Sequence, residues 1–289
     1  PVFSIITPTF NRRHTLQAVY DGLLNQTFMD FEWIIVDDGS TDGTSELVAQ
    51  WNPGFPIIYY YKDNNGKPSA VNCGLACSKG NYLVILDSDD VPVPEAVAVF
   101  VEELKKTPDD VCSVGALTMS TSGKIIGSEL SVPTIDMTML DAHSRYGMIG
   151  DKWLAFKSDI ARKFLFPSYG SEKFIAEGLI FNRMSRLGYK TRFINVPLLI
   201  HEHGPDGLTR NHLKLKTDNP IGFIAYHSEN ISEQDTKISR YYLKSAANIY
   251  AILLLSSKKP FITAWLMLLT LPLGLIKGLI DISKFKKNC

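Results

Sequence analysis

Three carboxylates crowd the end of an apolar run. Asp87, Asp89 and Asp90 follow Tyr82-Leu83-Val84-Ile85-Leu86. Neighbouring carboxylates repel, and placing them at the end of a buried strand raises the cost of ionising them. A divalent cation reverses that cost. Oxygen donors suit Mg²⁺ or Mn²⁺, which keep part of their coordination for substrate phosphates. A diphosphate held on such an ion becomes a better leaving group, because the cation offsets its developing charge. The alternative is an acidic loop that only caps a helix beyond Pro92.

Three more polar clusters each end an apolar run. Thr7-Pro8-Thr9-Phe10-Asn11-Arg12 follows Phe3–Thr7, Asp37-Asp38-Gly39-Ser40-Thr41-Asp42 follows Trp33–Val36, and Asp63-Asn64-Asn65-Gly66-Lys67 follows Ile57–Tyr61. One such cluster is ordinary turn chemistry. Four at the ends of successive strands describe a rim, and in open parallel sheets ligands bind beyond the carboxyl ends of the strands. Asp38 could accept from the imide or amide edge of a nucleobase, or cap the helix after Gly39. Neither a Gly-x-Gly-x-x-Gly fingerprint nor a Gly-x-x-x-x-Gly-Lys-Ser/Thr loop occurs, which argues against dinucleotide oxidoreduction and P-loop hydrolysis.

The elements that must position these clusters alternate. Thr15–Leu24 places Leu16, Val19, Tyr20, Leu23 and Leu24 on one helical face. A second helix runs Thr44–Trp51 behind Thr41 or Asp42 as cap. A third opens at Pro68 and stops before Gly80. Strand-helix alternation at this spacing predicts a doubly wound, mostly parallel α/β sheet. A helix over Pro94–Lys106, strands over Val111–Met119 and Lys124–Gly127, a helix over Lys173–Leu187 and a strand over Tyr189–Val196 follow. Residues Val132–Tyr169 read as an irregular layer wrapping the sheet.

The chain's 289 residues are 45% hydrophobic, enough for a sizeable core, and Lys+Arg 30 balances Asp+Glu 30. That balance gives no electrostatic reason to expect nucleic acid. Cys73, Cys77, Cys112 and Cys289 form no disulfide framework, which points to a reducing cytosolic setting. The N-terminal residues enter a strand at once and have no signal-peptide pattern.

Together the four clusters resemble the inverting glycosyltransferases of family 2, with a GT-A fold. The matching stretches are Ser4–Arg12, Ile35–Asp42, Asn65–Gly74 and Leu86–Asp90, in the family's order. The likeness is strong over residues 1–110 and weaker to about 215. It implies a catalytic domain over residues 1–218, with a nucleotide-sugar half (1–110) and an acceptor half (111–218). Pro8, Thr9 and Asn11 would line the nucleotide pocket and Asp38 would contact the base. Gly66, Lys67 and Asn72 would flank the diphosphate and sugar, with Ser88 beside them. Asp87 and Asp89 match the Asp-x-Asp motif that holds Mn²⁺ or Mg²⁺, Asp89 most directly. The implied donor is a UDP-sugar and the acceptor a saccharide or lipid-linked glycan of the cell envelope.

Inverting transfer needs a base for the acceptor hydroxyl. The family takes it from a Glu-Asp pair opening a later helix. Here that helix reads Phe174-Ile175-Ala176-Glu177-Gly178-Leu179-Ile180, so Gly178 stands where the Asp is expected. Glu177 is the candidate base, with Glu172 and Asp151 in reserve. The departure keeps open a non-catalytic nucleotide-sugar-binding scaffold or sensor; a nucleotidyltransferase would need a Gly-rich first loop, and Thr7–Arg12 has none. His201 and His203, in His201–Thr209, are candidate donor-site contacts.

Residues 219–289 read as a helical, apolar appendage. Ala246–Leu255 is apolar and Pro260–Ile276 carries no charge. As a helix the latter spans about 26 Å, short of a hydrocarbon core of about 30 Å. Lys277, Lys284, Lys286 and Lys287 could meet anionic headgroups. A peripheral helical pair on the cytoplasmic face of the inner membrane is therefore expected. Self-association is left open.

Overall fold

The computed structural model describes residues 1–201 and 212–232, with 248, 249 and 252. In chain order the elements are β1 (Phe3–Thr9), α1 (Arg13–Leu24), β2 (Phe31–Asp37), α2 (Thr44–Val48), β3 (Ile57–Tyr61), α3 (Lys67–Cys77), β4 (Tyr82–Ile85), β5 (Asp90–Pro92) and α4 (Ala96–Lys105). They continue with β6 (Val111–Ser120), β7 (Ile125–Ile126), β8 (Thr134–Met137), α5 (Met139–Ser144), β9 (Lys152–Lys157), α6 (Ser158–Ala161), α7 (Gly178–Arg186), β10 (Lys190–His201), α8 (His212–Asp218) and α9 (Pro220–Ser232).

Two compact units divide the chain. The first comprises Pro1–Phe166 with Arg183–Gly204; the second comprises Pro167–Asn182 with the residues from Pro205 onward. The first unit holds one sheet in the order β3-β2-β1-β4-β9-β6-β10-β5, with β7 paired to β6 and β8 to β10. β3, β2, β1 and β4 run parallel. β1 and β2 are buried along their whole length, as expected for strands covered on both faces. Phe3, Ile5, Trp33, Ile35 and Val84 join Leu16, Val19 and Leu23 of α1 and Val97, Phe100 and Leu104 of α4 in the main core.

The irregular layer expected over Val132–Tyr169 is not what forms. β9 enters the sheet between β4 and β6, antiparallel to both, and β8 pairs with β10. Trp153, Leu154, Ala155 and Phe156 of β9 are all buried. A short fully buried strand carries no alternation to read in the sequence. The expected helix over Lys173–Leu187 begins only at Gly178.

Strand directions decide what meets at the rim. β9 is antiparallel to β4, so its first residue, Lys152, lies at the end where β4 finishes. β6 and β10 run parallel to each other, and Ser120 and His201 pair at the same end. Register shifts interrupt β10 around Pro197, where proline supplies no ladder donor. Beyond them β10 pairs with β5, His201 opposite Asp90.

In the second unit, Phe223 and Ile224 of α9 pack with Ile249 and Ile252, and Phe174, Ala176 and Leu215 border them. No helix among the described residues is long and apolar enough to cross a membrane. The apolar stretches Ala246–Leu255 and Pro260–Ile276 lie outside the described residues except at 248, 249 and 252.

Candidate active site

The first two rim loops are stitched to each other. Asn11, with φ 51°, takes the left-handed conformation that asparagine tolerates better than most residues. Its Oδ1 accepts from the Thr41 N–H at 2.8 Å, and its own N–H donates to Ser40 Oγ at 2.8 Å. The Asp38 N–H donates to the Thr9 carbonyl at 2.8 Å. Pro8 is buried. Thr9 is 3% exposed, and its hydroxyl has no hydrogen-bond partner among the described residues. A buried hydroxyl without a partner costs free energy unless something else satisfies it, and Thr9 ends β1 at this rim.

Asp37 and Asp38 hold the rim together. Asp37 accepts from the Ser40 N–H at 2.7 Å and from the Tyr59 phenol at 2.5 Å. Burial and this carboxylate push the Tyr59 phenol well above its ordinary range. The buried Asp38 carboxylate accepts from Lys62 Nζ at 2.6 Å, from the Asn65 N–H at 3.0 Å and from the Gly66 N–H at 2.6 Å. The residue expected to read the base thus also brackets the third loop. Gly66 opens α3 at φ 89°, a conformation that only glycine adopts without strain.

Lys67, in the first turn of α3, ion-pairs with Asp87 at 2.7 Å. Asn72 is engaged elsewhere. Its Nδ2 donates to the Phe166 carbonyl at 2.9 Å and its Oδ1 accepts from the Phe166 N–H at 3.0 Å. The amide therefore clamps α3 to the segment after α6.

The acidic loop is the centre of the rim. One carboxylate oxygen from each of Asp87, Asp89 and Asp90 lies within 4.8 Å of the others. Burial raises Asp89 above the usual carboxylate range and Asp87 adds to this, while Arg12 and Lys67 oppose it. Burial also raises Asp90, opposed by its bond to His201. His201 Nδ1 and Asp90 Oδ1 are 2.7 Å apart. That bond leads in raising His201, against burial, and Asp151 and Asp87 add to it. The loop backbone is pinned from α1, where Thr15 Oγ1 donates to the Ser88 carbonyl at 2.7 Å; Ser88 itself is 7% exposed.

This donor set fits a hard divalent cation. It offers only oxygens, it is compact, and burial disfavours the charged forms of Asp89 and Asp90, a penalty that a cation removes. Asp90 has one oxygen committed to His201, and both oxygens of Asp87 lie on Lys67 Nζ, at 2.7 and 2.9 Å, so Asp89 carries the main capacity for a metal and Asp87 would share its charge between the ion and Lys67.

Glu177 lies in the second unit, at the opening of α7, where its carbonyl accepts from the Ile180 and Phe181 N–H groups. At Gly178 a Cβ would sit 2.9 Å from Cε2 of the Tyr226 ring. Glu172 is spent as a helix cap: its two carboxylate oxygens accept from the Ile221 and Gly222 N–H groups at 2.7 Å each, at the start of α9. Asp151 is exposed. His203 lies outside the described residues.

Sequence reasoning did not single out Tyr59, Lys62, Thr15 or Lys152. Lys62 ends the β3 run Ile57–Tyr61 as an ordinary solvated charge would, and only tertiary pairing with Asp38 gives it a role. Thr15 lies in the first turn of α1, where a hydroxyl reads as a local cap.

Residues 4–159 match the family described as Glycosyl transferase family 2. An uncharacterized glycosyltransferase, RP339, of Rickettsia prowazekii (strain Madrid E) is 38% identical over 106 residues, covering 37% of this chain and 33% of that protein. Chondroitin synthase of Pasteurella multocida (strain Pm70) is 38% identical over 115 residues, which is 39% of this chain and 12% of the synthase. The chain thus spans a third or less of these two relatives. Among solved structures, S. aureus TarS 1-349 superposes with a TM-score of 0.61 at 14% identity, covering 100% of this chain and 92% of that one. The glucosyl-3-phosphoglycerate synthase of Mycobacterium tuberculosis gives 0.51 at 19% identity, over 78% of this chain and 80% of that one. These likenesses show the GT-A fold. The match over more than half its length places the chain in glycosyl transferase family 2.

Proposed function

We propose that this protein transfers a sugar, with inversion, from a nucleoside-diphosphate sugar to a saccharide or lipid-linked acceptor in the synthesis of a cell-envelope glycan. The observation that carries this reading is the convergence of Asp87, Asp89 and Asp90 within 4.8 Å, on a rim to which β1 brings Thr9, β2 leads into Asp38 and α3 opens with Lys67. S. aureus TarS has been crystallised with UDP and with UDP-GlcNAc, and PcManGT of Pyrobaculum calidifontis with GDP-Man and Mn²⁺. By likeness the donor here is a UDP-sugar. TuaG of Bacillus subtilis, 38% identical over 92 residues, carries the name of a putative teichuronic acid biosynthesis glycosyltransferase, which supports an envelope glycan as product.

In this reading Pro8, Thr9, Asn11 and Asp38 form the nucleotide side, with Asp38 holding the Lys62–Gly66 loop in place. Asp87 and Asp89 would hold Mn²⁺ or Mg²⁺, whose positive charge offsets that of the departing diphosphate. Lys67 stands beside Asp87 and supplies a second positive charge there, with Gly66, Asn72 and Ser88 shaping the wall. Glu177 takes the proton of the acceptor hydroxyl. The acceptor oxygen bonds to the anomeric carbon as the bond to the diphosphate breaks, and that electron pair leaves with the nucleoside diphosphate. Attack from the face opposite the leaving group inverts the anomeric centre. The protein would work at the cytoplasmic face of the membrane, where lipid-linked acceptors lie.

A second reading rests on Gly178. If the missing acid leaves the site without an effective base, the protein binds nucleotide-sugar without turning it over. The experiment is nucleoside diphosphate release from a panel of nucleotide-sugars with Mn²⁺ and mixed saccharide and lipid-linked acceptors. Release that depends on acceptor and is lost in Asp89→Ala supports transfer. Binding of donor without release over the whole panel favours the second reading, and full activity in Asp89→Ala rejects the metal-holding role.

A further inference from the structure

Lys152 is a charge without an evident purpose in the fold. It opens β9 with its Cα paired to Leu117 of β6, and its ammonium nitrogen is buried with no hydrogen-bond partner among the described residues. Burial pulls its pKa below the ordinary lysine range, and Asp151 opposes that only through space. A buried ammonium without acceptors is unfavourable even after relaxation, whereas methionine would fill the same volume without that cost. Packing alone therefore does not account for a lysine here.

Its position suggests what the charge is for. Continuing the Val84↔Ala155 register brings Lys152 level with Asp87, at the rim of the acidic loop. The loops assigned to the nucleotide lie on the β1–β2–β3 side of β4, and β9, β6 and β10 lie on the other side. A donor lying along the first group with its diphosphate near Asp87 leaves the β9 side to the incoming acceptor. Lys67, paired with Asp87, already places a cation on the donor side, and a metal ion would be repelled by an ammonium.

We propose that Lys152 forms an anion subsite on the acceptor side, where its ammonium binds an oxyanion, phosphate or carboxylate, carried by the acceptor. This rests on the glycosyl-transfer reading for the word acceptor, but not for the presence of the subsite. An oxyanion supplies the charge-assisted hydrogen bonds that the buried ammonium lacks, and the binding free energy offsets the cost of keeping it buried.

The test uses the full chain labelled with [13Cε]lysine, with Mg²⁺ and UDP added to fill the donor side. The Lys152 signal is assigned by its loss in Lys152→Met. Methyl phosphate and glucuronate are then titrated separately, which distinguishes a phosphate-bearing from a carboxylate-bearing acceptor. The expected result is a saturable shift of the Lys152 signal with one of the two, together with a rise in its titration midpoint. Lys152→Met, followed by calorimetry, should bind that anion about tenfold or more weakly, the loss of one charge-assisted contact, and Lys152→Arg should retain binding. No response of Lys152 to either anion overturns the subsite. UDP affinity is measured in the same samples. If it is intact while Lys152 is silent, the subsite fails and the transferase reading stands. If UDP does not bind but Lys152 responds, the transferase reading fails and the anion site stands.

Discussion

Tyr226 fills the space that a side chain at Gly178 would need. A Cβ on Gly178 would lie 2.9 Å from Cε2 and 3.3 Å from the phenolic oxygen of Tyr226. Where the resemblance leads one to expect an aspartate, α9 has placed a ring, so the glycine reflects packing within the second unit. Restoring the acid alone should therefore not help. Gly178→Asp is expected to lower stability by about 1–3 kcal/mol, as overpacking does, with no gain in turnover. Tyr226→Ser removes the clash but also the ring's own contacts, so the double variant Gly178→Asp with Tyr226→Ser should be more stable than the sum of the two single effects. Urea denaturation of the single and double variants checks this; a Gly178→Asp protein as stable as the parent would show that the ring moves aside freely.

Asp38 is expected to matter for stability as much as for binding. Its carboxylate gathers Lys62, the Asn65 N–H and the Gly66 N–H. Asp38→Ala leaves the buried Gly66 N–H and the part-buried Asn65 N–H without their acceptor, and Lys62 with only the Asp63 carbonyl, at a cost of about 1–3 kcal/mol. The same change should weaken UDP binding, because the loop that leads into α3 loses its bracket. Chemical denaturation alongside UDP calorimetry separates the two effects. Weakened UDP binding with unchanged stability would mean that Asp38 serves the base alone.

Lys152 links stability to pH with a definite sign. Its folded-state pKa lies below its unfolded value, because burial penalises the ammonium. The penalty is fully present below the folded pKa and fades as pH rises through it toward the ordinary lysine value of about 10.4. Lys152→Met should therefore stabilise the ligand-free protein at neutral pH by about 1 kcal/mol or more, and the advantage should shrink at alkaline pH. Thermal melts at neutral and alkaline pH read this directly. A variant less stable than the parent at neutral pH would mean that the ammonium has an acceptor in the folded chain.

The parallel half of the fold was legible because its strands are apolar runs closed by turn residues and separated by helices with a clear apolar face. The acidic triad was legible for the same reason, since Asp87–Asp90 is contiguous and follows a strand. β9 was not. The run Trp153-Leu154-Ala155-Phe156 is buried on both faces and shows no alternation, and the helix that follows it is a single short turn, Ser158–Ala161. Missing β9 hid Lys152 and the antiparallel turn of the sheet. The pairings of Asp38 and Asp90 were not legible for another reason. Lys62 lies just past β3 and His201 ends β10, 24 and 111 residues from their aspartates; His201 stands out as a candidate contact, but nothing local ties either residue to its partner. Asn72 matched a motif, yet its amide closes on Phe166, a use that no motif states.

The most direct test of the central claim is manganese electron paramagnetic resonance with UDP present. Mn²⁺ added to the wild-type protein and UDP should lose its free-ion signal as a ternary complex forms. Asp89→Asn should leave most of the ion free, since loss of a ligand commonly costs 10-fold or more in metal affinity, while Asp151→Asn should behave as wild type. If the wild-type protein with UDP leaves manganese free, or Asp89→Asn sequesters it as well as the parent, the three aspartates do not form a metal site.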